Sequence, residues 1–445
     1  MKPPLSPPGV RELMDRHASA LPDILRLAND PLPGGKYRHW NRLRHLEPPA
    51  PLTTEQWWLG IKLARGNQYR KTPLRDMRGE PFVYALPDPV LARLHAIDHR
   101  SAGRAEAPDG AVTPESRDRY ILSSLIEEAI NSSQLEGAST TRQVAAEMIR
   151  QGRAPRDKDE RMILNNFQAM RAIRASRDRP LSIGMLLDLH RQLTEDTLDH
   201  PDAAGRFQTP DEERVVISGN TTGRVAHHPP PAERLPERME ALVRFANGAD
   251  EDGSTFVHPL VRAIVLHFWL AHDHPFEDGN GRVARALFYW AMLRCDYWLF
   301  EFVSISHAIK EAPARYARAF LETETDGNDL TYFLIHQLEA IDQALRTLDG
   351  YLARKTEEVA EVERHLRRRG DLNYRQLALL SHAIRHPGHQ YTIRSHQTSH
   401  GTAYATARSD LLNLAEAGFV ERIRKGKAWA FEAPRDLMQR MERAG

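Results

Sequence analysis

A chain of 445 residues with 41% apolar and 27% charged side chains has the composition of a globular protein and length for about three domains, which excludes disorder as its main state. Sixty-one basic against 60 acidic residues leave a net charge of +1, so the chain as a whole is not built to coat a polyanion. The single cysteine, Cys295, excludes an intrachain disulfide and any cysteine-based zinc finger, and it fits a reducing, cytosolic compartment.

The amino-terminal segment MKPPLSPPGVRELMDR is proline-rich and charged, without the roughly 7 to 15 apolar residues of a secretion signal. The most apolar run, Ala263 to Ala271, is interrupted by His267 and falls short of the roughly 18 residues that cross a bilayer. It reads as a buried helix, and no membrane partner is expected. Residues 1–105 form a first, tryptophan-containing helical domain with Trp40, Trp57 and Trp58. Thr53-x-x-Gln56 has the spacing of a capping box at the start of the Trp57–Trp58 helix, with Thr54 as a rival N-cap whose partner, Trp57, does not fit the box. Ser101 to Glu115, rich in small and polar residues with Gly103, Pro108, Gly110 and Pro114, is a linker.

Residues 116–348 form a second, mainly helical domain. Apolar residues recur at three- and four-residue spacing over Tyr120–Gln134, Met162–Ala175, Ile183–Thr194 and Leu235–Ala246. One β signal interrupts it: Val215-Val216-Ile217 and Val225-Ala226 flank the turn-rich Gly219 to Gly223, and Pro229-Pro230-Pro231 ends the second strand. Thr356 to Arg369 is a charged helical connector into a third region, residues 356–435. There Leu372–His386 and Thr402–Ala417 read as helices and Phe419–Phe431 as two short strands around Lys425-Gly426-Lys427. The fold class is mainly α, with a β-hairpin on the central domain and a helix-plus-basic-hairpin module at the end.

Chemistry concentrates in His274-Pro275-Phe276-Glu277-Asp278-Gly279-Asn280-Gly281-Arg282-Val283-Ala284-Arg285, between two apolar helices. Gly279 and Gly281 let the backbone turn tightly and approach a ligand, so that successive N–H groups can form an anion-binding nest. The helix that starts at Arg282 points its positive end at the same place. Arg282 and Arg285, three residues apart, share a helix face and reach phosphate oxygens. Asp278 is a hard oxygen ligand suited to Mg²⁺, and His274 is the neighbouring group whose ordinary pKa suits a general base near neutrality. No Gly-x-x-x-x-Gly-Lys-Ser/Thr loop is present, so triphosphate binding here is a different solution. His267, His272 and His274 also cluster, and His227-His228 follow the hairpin. Their spacings place no three of them on one helix face, and no His-Glu-x-x-His occurs, so a zinc site is not the expected reading and His267 is read as a buried, hydrogen-bonded side chain.

This string resembles the signature of the Fic (Fic/DOC) family, HPFx(D/E)GNGRxxR, at every defined position. The resemblance extends through Pro259–His267, through Leu186–Leu193 with His190, and through Asn165–Met170, over roughly Tyr120 to Leu334. It implies transfer of AMP from ATP to a protein hydroxyl, with ATP and Mg²⁺ bound. In that reading His274 deprotonates the target Ser, Thr or Tyr, Asp278 holds Mg²⁺, and Gly279, Asn280 and Gly281 form the anion hole. Arg282 and Arg285 hold the phosphates, Arg285 the γ-phosphate, and Phe276 anchors the loop. The hairpin of Val215, Val216, Ile217 and Ser218 lies where the family carries a flap, whose exposed edge pairs with an extended target segment. Ser132-Ser133-Gln134-Leu135-Glu136-Gly137 resembles the family's inhibitory motif (S/T)xxxE(G/N): Ser132 and Glu136 match it, Gly137 supplies a helix stop, and the Glu136 carboxylate pairs with Arg285. The same carboxylate could orient a water for AMP removal. The acceptor is a target protein or the chain itself.

Between Arg364 and Lys427 twelve basic residues face four acidic ones, a local balance of +8. That is the footprint of a module meeting phosphate backbones. Thr402 to Val420 resembles the recognition helix and wing of winged helix-turn-helix domains, with Tyr404, Thr406, Arg408 and Ser409 toward a DNA groove and Lys425 and Lys427 on the wing. The alternative to an enzyme with this appendage is a DNA-binding regulator whose central domain senses nucleotide; intact His274 and Arg285 favour the enzyme.

Overall fold

The computed structural model describes residues 3–101, 114–214, 217–218, 225–249, 256–368, 372–385, 389–425, 428–434 and 436–443. The chain separates into two compact units: Met1–Gly103 with Ser124–Leu345, and Arg104–Ser123 with Arg346–Gly445.

The first unit begins with α1 (Val10–Arg16), α2 (Leu21–Leu27), α3 (Trp40–Leu43) and α4 (Thr54–Gly66). Thr53, not Thr54, caps α4. Its hydroxyl accepts from the Gln56 N–H at 3.3 Å, and the Gln56 side chain accepts from the Thr53 N–H at 2.8 Å. Trp57, Trp58, Leu59 and Ile61 then pack on Leu13, Ile24, Ala28 and Leu43. An antiparallel hairpin follows that the helical reading of residues 1–105 does not contain, β1 (Arg70–Arg75) and β2 (Pro81–Tyr84). Its turn is signalled in retrospect by Asp76, whose carboxylate accepts from the Arg78 and Glu80 N–H groups at 2.9 Å, and by Gly79 at φ 85°. α5 (Asp88–Ser101) completes the segment.

Contacts join this segment to the central one, although composition suggests a boundary. Tyr37 and Tyr69 both donate to Asp329 Oδ2, at 2.5 and 2.7 Å, Lys62 pairs with Asp326 at 2.9 Å, and buried Arg65 donates to the Tyr332 hydroxyl at 3.0 Å. Composition cannot report such a seam, because its residues are polar and spread over both segments. Most of the expected linker, residues 102–113, lies outside the described residues.

The remaining helices of this unit are α6 (Pro114–Leu135, of which Ser124 onward belongs here), α7 (Arg142–Gln151), α8 (Lys158–Ala175) and α9 (Ile183–Thr194). They are followed by the short antiparallel pair β3 (Ile217–Ser218) and β4 (Val225–His227). Then come α10 (Leu235–Ala246), α11 (Pro259–Asp273), α12 (Asn280–Arg294), α13 (Ile305–Glu311), α14 (Pro313–Thr325) and α15 (Thr331–Arg368), whose first turns close the unit. α11 and α12 are buried all round, from Leu260 to Leu270 and from Val283 to Leu293, and pack against each other as the central pair. The loop between them is therefore held at both ends by two buried helices packed on each other.

In the second unit α15 runs on without a break to Arg368, then α16 (Tyr374–Arg385), β5 (Gln390–Thr392), α17 (Ile393–His400), α18 (Tyr404–Glu416), β6 (Glu421–Lys425), β7 (Ala428–Glu432) and α19 (Leu437–Arg443). The strands form one antiparallel sheet in the order β5-β7-β6. Leu379, Leu380, Leu411, Leu414, Phe419 and Phe431 are its core. The sequence reading has two of these helices and two of these strands; β5, α17 and α19 are too short and too polar to show a period. No helix among the described residues is long and apolar enough to cross a membrane.

Candidate active site

The site is the loop from His274 to Gly279 and the first turn of α12. His274 ends α11 in the left-handed conformation, φ 47°, which turns the chain sharply out of the helix. Its Nδ1 lies 3.2 Å from the Ala271 carbonyl, an acceptor, so in the neutral ring Nδ1 carries the proton and Nε2 keeps its lone pair. Burial lowers the His274 pKa to about 4. At neutral pH the imidazole is thus uncharged, and Nε2 is able to accept a proton.

The loop is clamped from inside. Phe276 is fully buried and stacks on His190, ring centroids 3.8 Å apart and planes 5° from parallel. His190 Nδ1 accepts from the Gly205 N–H at 2.9 Å, which leaves Nε2–H to donate to the Asp278 carbonyl at 3.0 Å. Burial pulls His190 down to about 4, so this neutral tautomer is the one present. The Asn280 side chain spans the turn: Oδ1 accepts from the Phe276 N–H at 2.9 Å and Nδ2 donates to the Phe276 carbonyl at 2.8 Å. The Asn280 side chain thus ties the turn together, and its backbone N–H is the group that the expected nest of backbone donors would use.

Gly279, at φ 82°, caps α12, and a side chain there would meet Thr194 Cγ2 at 2.8 Å. The N–H groups of Asn280, Gly281 and Arg282 follow in the first turn, where no carbonyl four residues back is available inside the helix. Arg282, 1% exposed, donates through one terminal nitrogen to the Leu193 carbonyl at 2.9 Å and through the other to Asp278 Oδ2 at 3.1 Å. Its Nε is buried without a partner. Asp278 is half exposed; Oδ1 accepts from the Gly279 N–H at 2.6 Å.

Arg285, one turn further, is engaged by the end of α6. Its Nε donates to Ser132 Oγ at 2.8 Å, and one terminal nitrogen donates to the Ser132 carbonyl at 2.9 Å and to Glu136 Oε1 at 2.8 Å. Burial works against the charged guanidinium, yet the Glu136 carboxylate holds its pKa above the ordinary value. Glu136 also lies directly over Gly281: a Cβ on Gly281 would collide with Glu136 Oε1 and sit 3.0 Å from an Arg285 terminal nitrogen. The carboxylate therefore fills the space beside Gly281 at the start of the helix. Gly137, at φ 101°, follows the end of α6 at Leu135.

The structure thus gathers His274, Asp278, Gly279, Asn280, Gly281, Arg282, Arg285, Ser132 and Glu136 into one site. Of the hairpin residues, Ile217 and Ser218 form β3, paired with His227 and Val225, while Val215 and Val216 lie outside the described residues. His267 is buried as expected, with Nε2 2.9 Å from the Tyr316 hydroxyl. Glu128 was missed. It is 2% exposed and accepts from the Tyr289 and Ser304 hydroxyls at 2.8 Å and from the Ser306 N–H at 3.2 Å, with Ser306 Oγ on its other oxygen. The signal was available: Ile121, Leu125, Glu128 and Ser132 share one face of α6, so a carboxylate sits on the apolar stripe.

Residues 180–292 match the family model described as Fic: Fic/DOC family. Among curated proteins the chain is similar to "Protein adenylyltransferase Fic" of Nematostella vectensis, 24% identical over 226 residues covering 49% of this chain and 48% of that protein. It is also similar to the Drosophila melanogaster protein of the same name, 27% identical over 266 residues covering 58% and 49%. The chain spans about half the length of these relatives. Among solved structures, a Fic family protein from Desulfovibrio desulfuricans G20 aligns over 78% of this chain and 94% of its own, at 22% identity and a TM-score of 0.49.

Proposed function

We propose that the protein transfers AMP from ATP to a Ser, Thr or Tyr hydroxyl of a protein, another chain or itself, and that Glu136 holds it in an inhibited state. The observation that carries this reading is the Arg285–Glu136 ion pair, 2.8 Å long, lying over Gly281 at the open start of α12. A triphosphate needs the guanidinium and the volume that Glu136 takes. With Glu136 in place, ATP lies with its α-phosphate out of line for attack, and loss of alignment costs large factors in rate.

In the active arrangement His274 Nε2 accepts the hydroxyl proton as the oxygen attacks the α-phosphorus. The pyrophosphate leaves against Arg285, Arg282 and the free N–H groups of α12. These groups are preorganised, so the charge that develops meets donors already in position. Asp278, a single half-exposed carboxylate, fits Mg²⁺, which is commonly held by one or two carboxylates together with substrate phosphates; it would neutralise phosphate charge there. Glu136 orienting a water toward a bound AMP ester would give hydrolysis to AMP and the free protein hydroxyl, a removal activity at the same site. Ile217 and Ser218 of β3, with Val215 and Val216, are proposed as the edge on which the target segment lies. The organisation into residues 1–105, 116–348 and 356–435, and a cytosolic setting, belong to the same reading.

A second proposal concerns the basic third region, read as a winged helix that contacts duplex DNA. It is supported by the +8 balance and by the exposure of Arg394, Tyr404, Arg408, Ser409, Arg422 and Arg424, with Thr406 half-buried beside them. Lys425 and Lys427 belong to the proposed wing, Lys427 lying outside the described residues.

The test is mass spectrometry of the intact protein and of lysate proteins after addition of Mg·ATP. Glu136→Gly should raise adenylyl incorporation well above wild type, and His274→Ala in that background should abolish it while nucleotide binding persists, since general-base catalysis is worth about 10²- to 10⁴-fold. No incorporation with Glu136→Gly would overturn the transfer reading.

A further inference from the structure

At the end of α11, the helix that presents His274, the fold gathers three side chains that the AMP-transfer reading does not use. His227 ends β4, His272 is in the last turn of α11, and Glu324 is in the last turn of α14. One ring nitrogen of each histidine and one carboxylate oxygen of Glu324 lie within 4.8 Å of one another, the single such group among the described residues. Sequence spacing could not show it, because the members are 45 and 52 residues apart and come from three elements.

The geometry points to a binding site for a divalent transition metal, of which Zn²⁺ is the type, held by His227, His272 and Glu324. Two imidazoles and a carboxylate favour such an ion over Mg²⁺ or Ca²⁺, which take all-oxygen sets. His227 Nδ1 and Glu324 Oε1 are already 3.0 Å apart. Metal–donor bonds of about 2.1 Å at tetrahedral angles put donors about 3.4 Å apart, so only small side-chain adjustments are needed to seat the ion.

The outer contacts are those that orient metal-binding histidines. His227 Nε2 lies 2.7 Å from the His272 carbonyl, which assigns that nitrogen as the donor and leaves Nδ1 for the ion. His272 Nδ1 lies 3.1 Å from Asp273 Oδ1, which leaves its Nε2. Asp273 is itself fixed by Arg238, at 2.8 and 2.5 Å, and by the Trp269 Nε1–H at 3.0 Å. A histidine whose second nitrogen is held by a carboxylate or carbonyl is the usual support of a bound metal. The three side chains are 11%, 6% and 21% exposed, buried enough to exclude competing ligands on one side and open enough for the ion to enter. Three protein ligands leave a fourth position for water. An ion there would clip β4, one strand of the hairpin, to the helix that presents His274. This inference does not depend on the AMP-transfer reading.

The experiment uses the full-length, untagged protein stripped with EDTA. Titration with Zn²⁺ by calorimetry should show one tight equivalent, and Co²⁺ should give the intense visible absorption of a four- or five-coordinate site. Glu324→Gln and His227→Gln should each weaken that equivalent at least tenfold, while Asp278→Asn leaves it unchanged. Metal-free melting at the wild-type temperature shows that each variant is folded. Absence of a tight equivalent in the wild type, or its persistence at full strength in both variants, would assign the cluster as a plain His227–Glu324 ion pair and overturn the proposal.

Discussion

Removing the Glu128 carboxylate should be one of the most costly single changes in the first unit, although the residue touches no proposed substrate group. Four donors converge on it. The single Tyr289 hydroxyl proton can turn to the Val303 carbonyl at 3.0 Å when Glu128 is cut back to alanine, and Ser304 is partly exposed, so water replaces what it loses. Ser306 has no such recourse: it is fully buried, and its N–H and its hydroxyl would both face the cavity. An unsatisfied buried donor costs about 1 to 3 kcal/mol. Two of them put Glu128→Ala near 4 kcal/mol, or roughly 10 °C in the melting midpoint. Glu128→Gln keeps a carbonyl acceptor and the shape, and should lose about half of that. The same helix carries Ser132 and leads into Glu136, about 12 Å further on. Loosening its anchor should therefore also raise AMP transfer per folded molecule in Glu128→Gln. Calorimetry of the three proteins, with adenylyl incorporation normalised to folded fraction, is the assay. A loss below about 1 kcal/mol in Glu128→Ala would show that the site collapses or hydrates freely and would refute the reasoning.

Acid should weaken the fold from neutral pH downward through its buried histidines. Burial lowers His39 to about 3 and His190, His274 and His336 to about 4, against an ordinary value near 6.5. The unfolded chain therefore binds more protons between those values, and stability falls as the pH drops from 7 to 5, with His227, raised by Glu324, working in the opposite direction. A melting temperature that is level or rising over that interval would contradict the burial of these rings. Asn280→Ala should cost about 2 to 4 kcal/mol by orphaning both backbone groups of Phe276, and should reduce transfer even with Glu136→Gly; an active, fully stable double variant would return Asn280 to a dispensable role. Residues 356 to 445, tested within the full chain, should make duplex DNA binding strongly salt-dependent, with the affinity dropping when Arg408 and Arg424 are changed to alanine. Binding that is equally weak at two salt concentrations in fluorescence anisotropy would assign the region to protein docking.

The residues of the His274–Arg285 loop were legible because their chemistry is local: turn glycines, a helix start and two arginines on one face lie within twelve positions. Helical periods likewise announced α8, α9, α10 and α18, since an amphipathic face repeats at a spacing the chain itself displays. The folded structure decided the rest. Thr53, whose spacing to Gln56 the sequence displays, wins over its rival Thr54 because its backbone and hydroxyl both meet Gln56. The Asn280 side chain is a clamp on Phe276, which depends on how the loop closes. Glu136 meets Arg285 across 149 residues, a pairing that only the family resemblance implies, and His227, His272 and Glu324 meet across three elements with no sequence signal at all. Contacts of that range are set by how helices pack around α11 and α12, and packing is a property of summed shape and burial that no window of sequence carries.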